Sequence, residues 1–149
     1  MRFWSALLVL PVLLGACGDK SDISLSVEMT GETIKVTDGA FSGLSGGFEL
    51  RFELGSESSG STQVSPGNFS LETEAGASLI DVLDVQPDTA FPFNLNKGES
   101  KRVVFTLSAD SVDRTALCAG RVRLVGSVTD TLKGGADPVR STAITPDCG

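Results

Sequence analysis

The stretch Phe48-Glu49-Leu50-Arg51-Phe52-Glu53-Leu54 alternates strictly between apolar and charged side chains. Successive side chains of a β-strand point to opposite faces, so this alternation predicts a strand with one face in an apolar core and the other in water. Residues 23–30 repeat the pattern, with apolar side chains at Ile23, Leu25, Val27 and Met29. The clearest local signals in the chain are therefore those of half-buried strands.

Five further segments predict strands, at residues 68–73, 78–85, 101–107, 121–129 and 139–145. Residues 33–36 predict either a further short strand or a switch of the first strand between sheets. Turns are expected where Gly, Asn, Asp and Ser cluster, at 37–39, 43–47, 55–60, 66–68, 97–98 and 133–135. One helical turn is expected over Ser108–Arg114, with Ser108 as its N-cap. Seven or eight short strands with frequent turns predict an all-β fold, a two-sheet antiparallel sandwich, because two stacked sheets bury the alternating faces that one sheet leaves exposed.

The segment Phe91–Leu107 holds a short apolar strand, a turn at Lys97–Ser100 and then an alternating strand. This arrangement resembles the middle of bacterial immunoglobulin-like modules of the CARDB and ASH type, and the resemblance extends over residues 45–145. It implies an immunoglobulin-like sandwich in which Val122, Leu124 and Gly126 face inward. The strand order stays open at this point, since the chain lacks the core tryptophan and the tyrosine corner of antibody domains.

The first 16 residues differ in kind from the rest of the chain. Arg2 is followed by an uncharged apolar run over residues 3–14, and small residues come next. A basic start, a short apolar centre and a small-residue end are the three parts of a secretory signal, and the run is too short for a membrane span of roughly 20 residues. We therefore expect residues 1–16 to be an export signal.

The last four residues of this region, Leu14-Gly15-Ala16-Cys17, resemble the lipobox of bacterial lipoproteins. The resemblance implies cleavage between Ala16 and Cys17 and a diacylglycerol on the Cys17 thiol. The alternative is ordinary signal cleavage beside an incidental cysteine. The predicted organisation is thus a signal (1–16), a short tether (17–22) and a β-sandwich domain (23–149). The resemblance also implies that Gly18, in place of Asp, favours the outer membrane if the host is Gram-negative.

Cleavage would remove Arg2 and leave 11 of the 12 basic residues against all 19 acidic ones, a net charge of −8. A domain this acidic is repelled by phosphate backbones, which argues against nucleic-acid binding. Its attachment to a membrane would come from the lipid on Cys17. The expected partners are the membrane, through that lipid, and another protein of the cell envelope.

Assigning Cys17 to a lipid leaves an even pair, Cys118 and Cys148. We expect a disulfide between them, because an oxidising compartment outside the cytoplasmic membrane permits it. The alternative, two free thiols as metal ligands, lacks a histidine to complete a site. The sequence predicts neither a metal nor a cofactor.

Histidine is absent from the chain, which excludes Ser-His-acid and Cys-His catalysis. Two groups of carboxylates remain, Asp81, Asp84 and Asp88, and Asp110 with Asp113. Two carboxylates can carry out hydrolysis in a glycosidase, and carboxylate oxygens can bind calcium. Turns exposed to solvent also explain both groups of aspartates, and this is the favoured interpretation. The sequence predicts a non-catalytic binding or structural module of the cell envelope. The alternatives are a carboxylate-based hydrolase and a periplasmic metal or ligand carrier. Binding would use a sheet edge or loop at Gly43–Gly47 or Gly55–Ser65.

Overall fold

The computed structural model describes residues 24–38 and 42–149. The predicted signal, the predicted cleavage site at Ala16 and Cys17, and the tether lie outside the described residues. The described chain forms ten strands and one short helix: β1 Leu25–Thr37, β2 Gly43–Leu54, β3 Thr62–Pro66, β4 Ser70–Thr73, β5 Ser78–Ile80, β6 Asp84–Pro87, β7 Phe93–Leu95, β8 Ser100–Ala109, α1 Arg114–Leu117, β9 Val122–Asp130 and β10 Ala136–Arg140. Among these residues, no helix is long and apolar enough to cross a bilayer.

The first sheet has four antiparallel strands in the order β1-β2-β8-β6. The decisive stretch lies at its centre, where Phe48 pairs with Phe105 and Leu50 pairs with both Met29 and Val103. Because the register keeps apolar residues opposite one another, one face of this sheet is continuously apolar.

The second sheet has six strands and is centred on β9. One edge of β9 pairs with β4 over its first half and with β3 over its second half, and the other edge pairs with β10. β3 and β4 therefore behave as one bent strand, and the Gly67 amide keeps the bend attached to β9 by donating to the Ser127 carbonyl at 2.7 Å. The short strands β5 and β7 pair with the outer edges of β4 and β3.

This connectivity gives the strand order that the sequence leaves open. Immunoglobulin constant domains place strands A, B, E and D in one sheet and C, F and G in the other. Here β1, β2, β8 and β6 take the A, B, E and D positions, while β3–β4, β9 and β10 take C, F and G, with β5 as an added C′ strand. The predicted all-β, two-sheet antiparallel sandwich is confirmed.

The core lies between the two sheets and is built around phenylalanine. Phe48 stacks on Phe105 of its own sheet at a centroid distance of 4.8 Å, and Phe69 from the opposite sheet lies 4.9 Å from Phe48. Gly126 of β9 faces inward, and a Cβ there would overlap the Phe69 ring. The inward placement expected for Val122, Leu124 and Gly126 is therefore confirmed, the first two being fully buried.

The turn expected at Gly43–Gly47 is wrong, because these residues begin β2. The register of β1 against β2 shifts between Thr30 and Thr33, and a Cβ on Gly46 would overlap the Thr33 carbonyl oxygen. The glycines thus permit a close approach of two backbones within a sheet. Residues 33–36 continue β1 in the same sheet.

Three other predicted boundaries are also wrong. The strand expected at 78–85 is two strands, β5 and β6, which belong to different sheets. The helix expected at Ser108–Arg114 begins only at Arg114, and Asp113 caps it by accepting from the Ala116 amide at 3.1 Å. The strand expected at 139–145 begins at Ala136 and ends at Arg140. The count of ten strands exceeds the expected seven or eight, since 78–85 divides into two strands, the short apolar strand noted in the Phe91–Leu107 segment forms β7, and β3 lies in a segment that lacks a strong local pattern.

Candidate functional site

A disulfide joins Cys118, at the end of α1, to Cys148, with their Cα atoms 6.2 Å apart. The predicted pairing is therefore present. Just before Cys148, the Asp147 amide donates to the Ile34 carbonyl, and the Asp147 carbonyl accepts from the Val36 amide, both at 2.8 Å. The C-terminal segment thus adds to the outer edge of β1, and the disulfide fixes it against α1.

The strand register defines two ends of the sandwich. At the N-terminal end lie Ser24 and the turns 55–61, 96–99 and 131–135, because Leu25 pairs with Leu54 and Val64 pairs with Asp130. At the C-terminal end lie Asp38, the turns 74–77 and 81–84, the α1 region 110–121 and the segment 146–149. The chain enters the sandwich at one end, and its disulfide lies at the other.

Charge is distributed unequally between these ends. The N-terminal end, with the groove that opens there, carries four acidic side chains and two basic ones, and Lys133 is ion-paired with Asp137: Glu57, Glu99, Asp130, Asp137, Lys97 and Lys133. The C-terminal end carries seven acidic side chains and two basic ones: Asp38, Glu74, Asp81, Asp84, Asp110, Asp113, Asp147, Arg114 and Arg121. Both ends are therefore net negative, and the excess of acidic side chains is larger at the end that bears the disulfide.

A groove of about 590 Å³ opens between β1 and β10 at the N-terminal end. Leu25 and Val27 line one wall, and Val139 and Leu132 line the other. In the described part of the chain, no strand pairs with the outer edge of β1 over Leu25–Met29. The groove is thus an apolar surface beside a strand edge, the arrangement that strand addition uses.

Asp130 lies at the base of this groove and is 5% exposed. Its Oδ1 accepts from the Thr62 hydroxyl at 3.2 Å and from the Leu132 and Lys133 amides at 2.9 and 3.0 Å. These bonds satisfy Oδ1 and fix the 131–135 turn, so Asp130 holds the loop that forms the groove wall.

The predicted carboxylate groups are only partly brought together. Asp84, Asp110 and Asp113 line one pocket of about 430 Å³ at the C-terminal end, next to the exposed Val82. Asp88 lies elsewhere and accepts from the Val104 amide at 3.1 Å.

The carboxylates with identified partners hold local structure. Asp81 accepts from the Ser78 hydroxyl, Asp84 from the Gln86 amide group and Asp113 from the first turn of α1. Within residues 24–38 and 42–149, no three His, Cys, Asp or Glu side chains are grouped to hold a metal ion. These contacts are those of solvated turns.

The two segments expected to bind by a free edge or loop are placed differently. Gly43–Gly47 lies inside the first sheet, because Ser45 pairs with Lys35 on one side and Ser108 on the other, so the edge expected there is absent. Gly55–Ser65 is a loop as far as Ser61 and then becomes β3. Local sequence gave no signal for the β1–β10 groove, since its walls are more than 100 residues apart along the chain.

Two of the large apolar side chains that are exposed lie at opposite ends. Val82 is 65% exposed at the C-terminal end, and Leu132 is 38% exposed at the N-terminal end. They offer matched positions at which the two ends can be probed separately.

The described residues form an immunoglobulin-like antiparallel sandwich that carries the Cys118–Cys148 disulfide. No protein-family model and no curated protein matches the sequence. One solved structure, described as "pH-induced modulation of Streptococcus parasanguinis adhesion by Fap1 fimbriae", is similar at 12% identity and a TM-score of 0.24, over 82% of this chain and 92% of that chain. A likeness at that TM-score carries no argument about fold or function.

Proposed function

We propose that this chain is a lipid-anchored lipoprotein of the bacterial cell envelope, whose sandwich is a non-catalytic binding or structural module. The observation that carries the proposal is the stretch Leu14-Gly15-Ala16-Cys17 at the end of a basic, then apolar, leader. In this proposal Cys17 receives a diacylglycerol and becomes the first residue of the mature protein.

The cysteine pairing supports this assignment. Cys118 and Cys148 are joined, which leaves Cys17 as the one cysteine outside the disulfide. Disulfides persist in oxidising compartments, so the bond fits a protein that has left the cytoplasm. The host is taken as Gram-negative in the finer form of the proposal, in which Gly18 directs the protein to the outer membrane.

The chemistry of the sandwich supports a binding role over catalysis. The chain has no histidine; Asp81, Asp84 and Asp113 accept hydrogen bonds from groups within three residues, and Asp88 accepts from the Val104 amide of β8. The groove between β1 and β10 offers an apolar wall and a strand edge, to which an extended segment of another envelope protein can add. A net charge of −8 after cleavage disfavours nucleic acid as that partner.

The lipid anchor is tested by expressing the full chain in a bacterium and separating membranes from soluble extract. We expect the wild-type protein in the membrane fraction and Cys17→Ser in the soluble fraction or as uncleaved precursor without acyl mass. The matched control is Cys118→Ser/Cys148→Ser, which removes the other two thiols and is expected to stay with the membranes. Membrane retention of a cleaved, unacylated Cys17→Ser protein would contradict the proposal.

The partner is sought by cross-linking from the groove in intact cells. A photoreactive residue at Val27 is expected to give an adduct with an envelope protein, whereas one at Val104, exposed on the outer face of β8, is expected to give none. Equal labelling from both positions would count against the groove as the binding surface.

A further inference from the structure

The attachment point of the tether is fixed on the domain. The Ser24 carbonyl accepts from the Gly55 amide at 3.2 Å, and Ser24 lines the groove together with Leu132 and Lys133. The chain from Cys17 to Ser24 spans seven residues, which reach about 24 Å at most when fully extended. A lipid on Cys17 would therefore hold the N-terminal end of the sandwich close to the bilayer.

The length of the sandwich excludes the inverted orientation. β2 runs the full length of the first sheet with 12 residues, which correspond to roughly 36 Å of extended strand. In the inverted orientation the C-terminal end touches the bilayer and the strands stand along the membrane normal. Ser24 would then lie roughly 36 Å above the surface, beyond the reach of a tether of about 24 Å. Two orientations remain: an upright domain, with its N-terminal end on the bilayer, and a domain that lies on its side.

Charge distinguishes between these two. Anionic lipid headgroups repel acidic side chains, and seven of these lie at the C-terminal end against two basic ones. The N-terminal end carries four acidic side chains against two basic ones; of these four, Asp130 is buried and Asp137 is paired with Lys133, and Leu132 presents an exposed apolar side chain there. An upright domain keeps the more acidic end farthest from the headgroups and brings the less acidic end to them.

We propose that the N-terminal end of the sandwich is a membrane-facing surface, with Leu132 in the 131–135 turn at the lipid contact. The C-terminal end, with the disulfide and the pocket of Asp84, Asp110 and Asp113, projects away from the bilayer, while the outer edge of β1 proposed above to bind a partner runs along the side of the sandwich. The proposal rests on the lipid anchor at Cys17 described above. The occupant of the N-terminal end is a phospholipid surface.

The composition of the mature chain allows a direct test. The one tryptophan of the full sequence, Trp4, lies in the predicted signal, and tyrosine is absent, so a single introduced tryptophan is the only indole or phenol fluorophore of the cleaved chain. Lipidated Leu132→Trp and Val82→Trp are reconstituted into vesicles containing anionic phospholipid, with and without brominated acyl chains. Both positions are exposed, so both variants are expected to fold. Glu57→Trp provides a second, independent position at the N-terminal end if Leu132→Trp fails to fold.

We expect brominated lipid to quench most of the emission of Leu132→Trp and to leave that of Val82→Trp unchanged. Equal quenching at both positions would overturn the proposal in favour of a side-lying domain. Emission from Leu132→Trp and Glu57→Trp that resists both brominated lipid and aqueous iodide would overturn it in favour of a protein, such as a second copy, covering this end. Flotation of the same vesicles reports separately on the anchor, so loss of the anchor and a different orientation give distinct results.

Discussion

Removal of the disulfide tests how the end of the chain is held. The double variant Cys118→Ala/Cys148→Ala opens a loop with a sequence separation of 30 residues. On the chain-entropy treatment, a closed loop of this length contributes about 3–4 kcal/mol to the free energy of unfolding. That is a large fraction of the roughly 5–15 kcal/mol by which single domains are stable.

The expected drop in melting temperature follows from the size of the domain. One kcal/mol corresponds to about 3–4 °C for a domain of this length, so the double variant should melt roughly 10–14 °C below the oxidised wild type. The melting curves are measured by circular dichroism at 218 nm or by calorimetry. The wild type in reducing agent is the matched control and should melt with the double variant.

A local consequence accompanies the global one. Asp147 pairs with β1 next to Cys148, so the amides of Val36 and Asp147 should lose protection from hydrogen exchange before those of the central strands. A shift below about 3 °C, or unchanged protection at Val36, would refute the reasoning, because the segment would then be held without the bond.

Three further substitutions test the core and the groove. Gly126→Ala should lower the free energy of unfolding by about 1–3 kcal/mol in urea denaturation, because the new Cβ overlaps Phe69, while Gly135→Ala, which meets open space, should change it little. Phe105→Ala should lower it by about 3–5 kcal/mol through loss of a buried ring, and Val104→Ala, its outward-facing neighbour, by less than about 1 kcal/mol; equal costs would contradict the assigned faces of β8. Asp130→Ala should lower the free energy of unfolding by about 1–3 kcal/mol and speed hydrogen exchange of the Leu132 and Lys133 amides, because both amides lose their acceptor. Unchanged exchange would show that the 131–135 turn is stable without Asp130.

Local sequence patterns predicted strands and their buried faces correctly where apolar and polar side chains alternate along a strand that faces the core. In β2 every apolar residue of the 48–54 stretch is buried, since a strand of period two presents one face to the opposite sheet. The disulfide also followed from simple pairing of Cys118 with Cys148. These features depend on few distant contacts.

The errors arise where a distant contact decides the local structure. The glycines at 43–47 predict a turn on their own, and only the pairing with β1 makes them part of a strand. Ser108 is a good candidate N-cap, but its backbone pairs with both Ser45 and Asp84, so β8 continues and the helix begins later, at the Asp113 cap. The 78–85 segment breaks because the chain crosses between sheets at 81–83, where the Leu83 amide donates to the Phe69 carbonyl.

The groove between β1 and β10 had no local signal for the same reason. Its walls come from the first and last strands of the fold, which meet only after the two sheets have stacked. A groove of this kind follows from the strand order, which the sequence left open.

The intact mass of the protein, extracted in detergent from the membranes of a bacterium that expresses the full chain, tests the central claim most directly. We predict a chain that begins at Cys17, carries the mass of a diacylglycerol on that residue and contains the Cys118–Cys148 disulfide. A chain that retains Met1, or one that begins at Cys17 with a free thiol, would contradict the account of a lipid-anchored envelope protein.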